Sequence, residues 1–157
     1  MHILRVILFM AFAFMSGGCR SSDNADSDPR WQAWLLSTIK EEAAAHQHAL
    51  LVRIDESHLR RVPMVYKGVV WDQGFVDSKG TVVRSYKGTW KVGERIAIHE
   101  EHEAVGKDWT PDIGQLHFIM IDTHTTEPID VLGEEKWDYQ PEFDRALQFE
   151  YSKKAAS

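Results

Sequence analysis

The chain contains one cysteine, Cys19, so no disulfide can form within it. It has no apolar run long enough to cross a bilayer as a helix, which takes roughly 17–25 residues. The apolar stretch "VILFMAFAFM", Val6 to Met15, falls short of that. Clustered positive charge is also missing: beyond Arg60-Arg61 and Lys153-Lys154 the basic residues are dispersed on a chain of net charge −6. Nucleic acid, whose binding rests on neutralising phosphates, is thereby set aside as a partner. No period of 20 to 50 residues recurs, which excludes a solenoid. No glycine-rich phosphate loop and no strained nucleophile turn occur, and no base–orienter set accompanies Ser57-His58. A catalytic constellation is absent from the sequence pattern, and a non-catalytic role is expected.

What is present begins at the N-terminus. Arg5 and the amino group supply positive charge, Val6–Met15 a short apolar core, and Ser16-Gly17-Gly18 small residues: the order of a secretory signal, residues 1–18. Cys19 directly after them resembles the lipobox cysteine of bacterial lipoproteins, with Ser16 standing where a large aliphatic residue is usual. The resemblance implies lipid attachment, palmitate included, at Cys19 and a membrane-anchored mature chain. Arg20, in place of an aspartate after the lipidated cysteine, implies the outer membrane facing the periplasm in an organism that has one. Residues 19–28 lack any large apolar side chain and read as a polar tether. Residues 29–157 remain for a single domain with two flanking helices.

Asp28-Pro29 offers an N-cap and a first-turn proline. Trp31, Trp34, Leu35 and Ile39 follow at helical spacing, so an amphipathic helix is expected from Pro29 to His48, with its tryptophans packed on the domain. From Leu50 the period changes to two. Strands are expected at Leu50–Ser57, Val62–Phe75, Thr81–Gly88, Arg95–His99 and Gln115–Asp122, the last one central. Asp77-Ser78-Lys79-Gly80 has the composition of a hairpin loop, and Pro141 opens a short C-terminal helix. The expected fold is mainly β, a small antiparallel barrel with a helix at each end.

"VVRSYKGTWKVGERIAI" followed by "GQLHFIMID" resembles bacterial members of the netrin-like, or tissue-inhibitor-of-metalloproteinase-like, group, whose domain is an OB-like barrel. The matching residues are Val82, Val83, Tyr86, Lys87, Gly88, Gly93 to Ile96, and Gly114 to Asp122; "VYKGVV" at Val65–Val70 is similar to an earlier strand of that pattern. The likeness spans roughly Leu50 to Asp122. Gly88 and Gly93 supply backbone freedom where strands bend, and Tyr86 and Trp90 are bulky residues suited to a small barrel. The group's protease inhibitors use a disulfide-fixed N-terminal cysteine to chelate zinc. This chain has no second cysteine, so that activity does not carry over.

The residues most suggestive of a metal are His99, Glu101, His102 and Glu103. A zincin helix needs histidines four apart, whereas His99 and His102 are three apart after an alternating strand. On a strand such positions face opposite sides, so a solvated strand end is expected rather than a zinc site. His46 and His48 are two apart, which does not pair them on a helix. His58, His117 and His124 are scattered, His117 within the central strand. The expected function is a lipid-anchored cell-envelope binding or assembly module, with an envelope protein, peptide or glycan as partner. The alternative is a metal-dependent envelope hydrolase using the His99–Glu103 cluster.

Overall fold

A computed structural model describes residues 29–102, 109–131 and 135–155. The signal segment, the tether, Asp28, Cys19 and Glu103 lie outside the described residues. The chain divides into two compact units, one ending at Trp34 and the other beginning at Leu35. Of the first, residues 29–34 are described, the opening turns of helix α1 (Pro29–Ala45). There Trp31 stacks on Trp34 with ring centroids 4.7 Å apart, and the two remain 42% and 44% exposed. The helix's buried residues are instead Ile39 and Ala43. Among the described residues no helix is long and apolar enough to cross a membrane.

The second unit is mainly β. Its strands are β1 (His48–Tyr66), β2 (Val69–Lys87), β3 (Arg95–His102), β4 (Leu116–Ile121), β5 (Ile129–Asp130) and β6 (Lys136–Asp138), followed by helix α2 (Pro141–Ala155). They form one sheet in the order β5-β3-β2-β1-β4-β6. The sheet curls into a half-barrel. It differs from the expected antiparallel barrel because β5 runs parallel to β3, and among the described residues no ladder joins the edge strands β5 and β6.

The hairpin β1–β2 dominates the sheet and corrects the expected strand divisions. Asp77–Gly80 is the middle of β2, paired with β1 on one side and β3 on the other. Its polar residues have cross-strand partners: Ser78 shares a hydroxyl hydrogen bond of 3.0 Å with Ser57, and Lys79 donates to Glu56. Gly80 is needed for space, since a Cβ there would collide with Val52 and the Arg53 carbonyl. The turn is Lys67-Gly68, inside what reads as one strand, with positive φ at both residues (50° and 79°). That is the backbone a two-residue hairpin loop requires when its twist matches the strands. On the side of the sheet towards that turn β3 runs on to His102, three residues beyond the expected stop.

Two cores hold the unit together. Leu50, Val52, Ile54, Val82, Ile96, Ile98, Ile119 and Ile121 pack on the inner face of the curl. Ala49, Leu51, Phe118 and Met120, on the outer face, meet Ile39 and Ala43 of α1 and Phe143 and Leu147 of α2. The start of β1 is therefore buried on both sides, which is why "HALLV" is a continuous run without polar alternation. A bulge at Asp55, between Ile54 and Glu56, then resets which side chains face inward. The bulged carboxylate is taken up by Arg53, Thr81 and Arg95.

Candidate functional site

The acidic histidine stretch is divided by the strand it lies on. His99 faces one side of β3, where its Nδ1 is 2.6 Å from Asp77 and its ring stacks on Phe75. Glu101, two positions on, lies on the same side as His99, whereas Glu100 and His102 point to the other. No group of three or more His, Cys, Asp or Glu side chains suited to a metal occurs among the described residues.

Glu100 takes part in a different constellation. It is 9% exposed, and its carboxylate accepts from Lys136 Nζ at 2.8 and 3.1 Å. Lys136 also reaches Asp112 at 3.2 Å. In a flat sheet β3 and β6 would stand roughly 19 Å apart, four strand spacings. This ion pair therefore depends on the curl and ties one side of the half-barrel to the other. Beside it lies His117, 2% exposed, on the same face of β4 as Ile119 and Ile121. Its Nδ1 is 3.2 Å from Asp138 and its Nε2 3.5 Å from Asp112, and neither nitrogen completes a hydrogen bond. Burial lowers its pKa, the Lys136 charge adds to the effect, and the flanking carboxylates only partly oppose it. The neutral imidazole is thus favoured over the charged one. Lys136 occupies the place among these acids that a cation would take.

The "YKG-T-W" phrase acts as a junction. The Lys87 ammonium, at the end of β2, turns to the end of α1. It donates to the carbonyls of Ala43, Ala44 and His46, groups that a helix C-terminus leaves without intrahelical donors. Tyr86 donates to Asp144 of α2 at 2.6 Å, and Arg84 and Gln148 bind the same carboxylate. Burial alone would raise the Asp144 pKa, but these three donors together hold it below the usual range. The Tyr86 hydroxyl is pushed upward by burial and by that carboxylate. Gly88, with φ of 101°, passes so close under the His48 ring that a Cβ would overlap it. Gly93 and Gly114 each take a positive φ in the turns before β3 and β4.

Past Gly88 the chain reaches a cleft of about 530 Å³ lined by Trp90, Glu94, Arg95, His124, Thr125 and Thr126. Trp90 is 4% exposed, and its Nε1 donates to the Thr123 carbonyl at 3.1 Å. Its indole stacks under His124, centroids 4.2 Å apart and planes 25° off parallel. His124 is clamped by Thr89 Oγ1 at 2.8 Å on Nδ1 and by Glu94 at 3.3 Å on Nε2. Arg95, on the cleft wall, is braced by Asp55 at 3.0 Å. A supported imidazole face, a carboxylate, a guanidinium and two hydroxyls thus share one recess. Trp90 belongs to a recognisable motif; His124, thirty-four positions on in the "THTT" loop, carries no spacing signal that joins it to Trp90.

Compared with protein-family models and with curated proteins, the chain matches none.

Proposed function

We propose that this protein is a lipid-anchored binding module of the cell envelope, built on an OB-like half-barrel and anchored through Cys19. Its ligand is an envelope peptide or glycan, free or as part of an envelope protein, taken at the Trp90–His124 cleft. The observation that carries this reading is the cleft's composition: an aromatic platform beside groups that both donate and accept hydrogen bonds. Ring faces with a few placed polar groups suit sugars and peptide stems. The signal segment, the lone cysteine and the tether support the address, and the "YKG" phrase at the end of β2 supports the netrin-like kinship.

Titration of the isolated protein with soluble glycan–peptide fragments of cell wall, followed calorimetrically, tests the site. Binding that falls at least tenfold in His124→Ala and Glu94→Gln is the expected result. Equal binding by parent and both variants would remove the cleft from the account. Mass spectrometry of the membrane-extracted chain tests the anchor, which predicts an acylated N-terminal Cys19 and is contradicted by a free thiol there.

A further inference from the structure

The β1–β2 hairpin outruns its neighbours. β4 pairs with β1 only as far as Arg53, and β3 pairs with β2 only from Gly74 to Thr81. Among the described residues the hairpin continues from Arg61 and Gly74 as a two-stranded ribbon to Lys67-Gly68, with Gln73 at its base still donating to the His102 carbonyl at 2.8 Å. Five residues at roughly 3.4 Å each carry it about 17 Å from Arg61 to Tyr66.

The ribbon's end is apolar on both faces. Val65 and Val70 pair across the strands on one side; Met64 with Trp71 and Tyr66 with Val69 pair on the other. Val65 is 70% exposed, Val69 and Val70 each 64%, Tyr66 60% and Met64 42%. A flat protein surface would cover one of these faces and leave the other in water. A bilayer surrounds an inserted tip and covers both. Charge points the same way: Arg60, Arg61 and Lys67 border the apolar residues, Asp72 is the one acid among them, and the chain as a whole carries −6. Basic residues flanking valines, with tyrosine and tryptophan beside them, are the side chains an anionic bilayer interface accepts. Lys67, its Nζ 5.1 Å from the Tyr66 ring centre, sits on a flexible stem that reaches phosphate level from a shallow insertion.

We propose that the hairpin tip, Val62–Trp71, is a second membrane contact. It inserts Met64, Val65, Tyr66, Val69 and Val70 into the interfacial layer of an anionic bilayer, with Lys67 reaching back to the phosphates and Arg60 and Arg61, behind the tip, facing the anionic surface. The contact is separate from the ligand cleft and relies on the proposed anchor only for delivery to a bilayer. Once the chain is tethered, a weak second contact becomes intramolecular and fixes the domain's orientation.

The test places a polarity-sensitive fluorophore at Val65→Cys, with Val92→Cys, 67% exposed in a different turn, as the control. The membrane-isolated full chain is mixed with vesicles of phosphatidylethanolamine and phosphatidylglycerol, or of phosphatidylcholine alone, some bearing brominated acyl chains. Emission from position 65 should shift to the blue and be quenched by the brominated lipid in anionic vesicles, while position 92 stays aqueous. Val70→Asp should reduce that quenching at least fivefold, and Arg60→Gln with Arg61→Gln should abolish the preference for anionic lipid, with circular dichroism unchanged in each. Position 65 remaining as aqueous as position 92 overturns the proposal; so does protection that appears only when envelope proteins are added, which would assign the tip to a protein partner. Labelling of Cys19 in the parent chain is read separately. A reactive Cys19 refutes the anchor, while the vesicle comparison, with the parent as background, still decides the tip.

Discussion

The two ends of the β1–β2 hairpin are written in similar residues and live in different surroundings. At the root, Leu50, Val52 and Ile54 are fully buried inside the curl, while Ala49 and Leu51 are covered by the helices on the other side. At the tip, Val65, Tyr66, Val69 and Val70 are all at least 60% exposed. Both ends are rich in the β-formers that make a strand, but among the described residues only the root has neighbours on every side. Strand propensity therefore accounts for the hairpin's length, and tertiary packing decides which part of it stabilises the fold. The exposed end is available for contact with something else.

The sharpest contrast is mutational. Phe118, fully buried and paired with Leu51 at the root, should cost about 3–5 kcal/mol of stability as Phe118→Ala in denaturant unfolding. A loss below about 1 kcal/mol would show the root to be less packed than described. Next in size is the ion pair that spans the curl behind the root. Lys136→Met leaves the buried Glu100 carboxylate without its main partner and should cost about 3 kcal/mol. Glu100→Leu combined with Lys136→Met should recover much of that, because a hydrophobic pair needs no compensation. A double variant no better than the single one would show that an uncompensated Glu100 charge is not the source of the loss.

A smaller effect is set by pH. Burial is the chief cause that sets the pKa values of His117 and His48 in the fold below the 6.5 they have when unfolded. The unfolded chain then binds more protons than the fold between those values and 6.5. Their contribution is complete above about pH 6.5 and is lost as pH falls below it towards the lowered values. Unfolding curves across pH 5 to 8 should show stability rising with pH, with a shallower slope in His117→Gln. Asp144 acts further down: its contribution, present above 3.8, is lost only in stronger acid. Smallest of all is Val65→Ala at the tip, expected within about 0.5 kcal/mol of the parent, since exposed positions contribute little to folding.

Much of this layout is legible in the sequence, and the misreadings have identifiable causes. The helices at the two ends, the "LHFIMI" strand and the importance of "YKG-T-W" follow from periodicity and residue type. That strand lies next to edge strand β6 rather than at the centre expected from its apolar character, the central places being taken by β1 and β2. Asp77–Gly80 misleads because polar residues with cross-strand partners have the same composition as a hairpin loop. The true turn hides because lysine rarely takes a positive φ, so Lys67-Gly68 carries a weaker signal than Asn-Gly would. His117 shares the inward parity of Ile119 and Ile121, and that much is readable. Its neighbours Lys136, Asp138 and Glu100 come from distant segments brought together by the curl, which no local pattern encodes. The same holds for Trp90 and His124 at the cleft. His99 to His102 resemble a ligand set through density alone, and the two-residue period of a strand separates those side chains rather than gathering them.

Amide hydrogen exchange on the full chain, with and without phosphatidylglycerol-containing vesicles, tests the division of the hairpin most directly. Root amides from Leu50 to Ile54 should exchange slowly in both conditions. Amides from Met64 to Val70 should exchange fast in solution and slow at least tenfold on the vesicles. A tip whose exchange ignores the vesicles, or a root that exchanges as fast as the tip, would contradict the account.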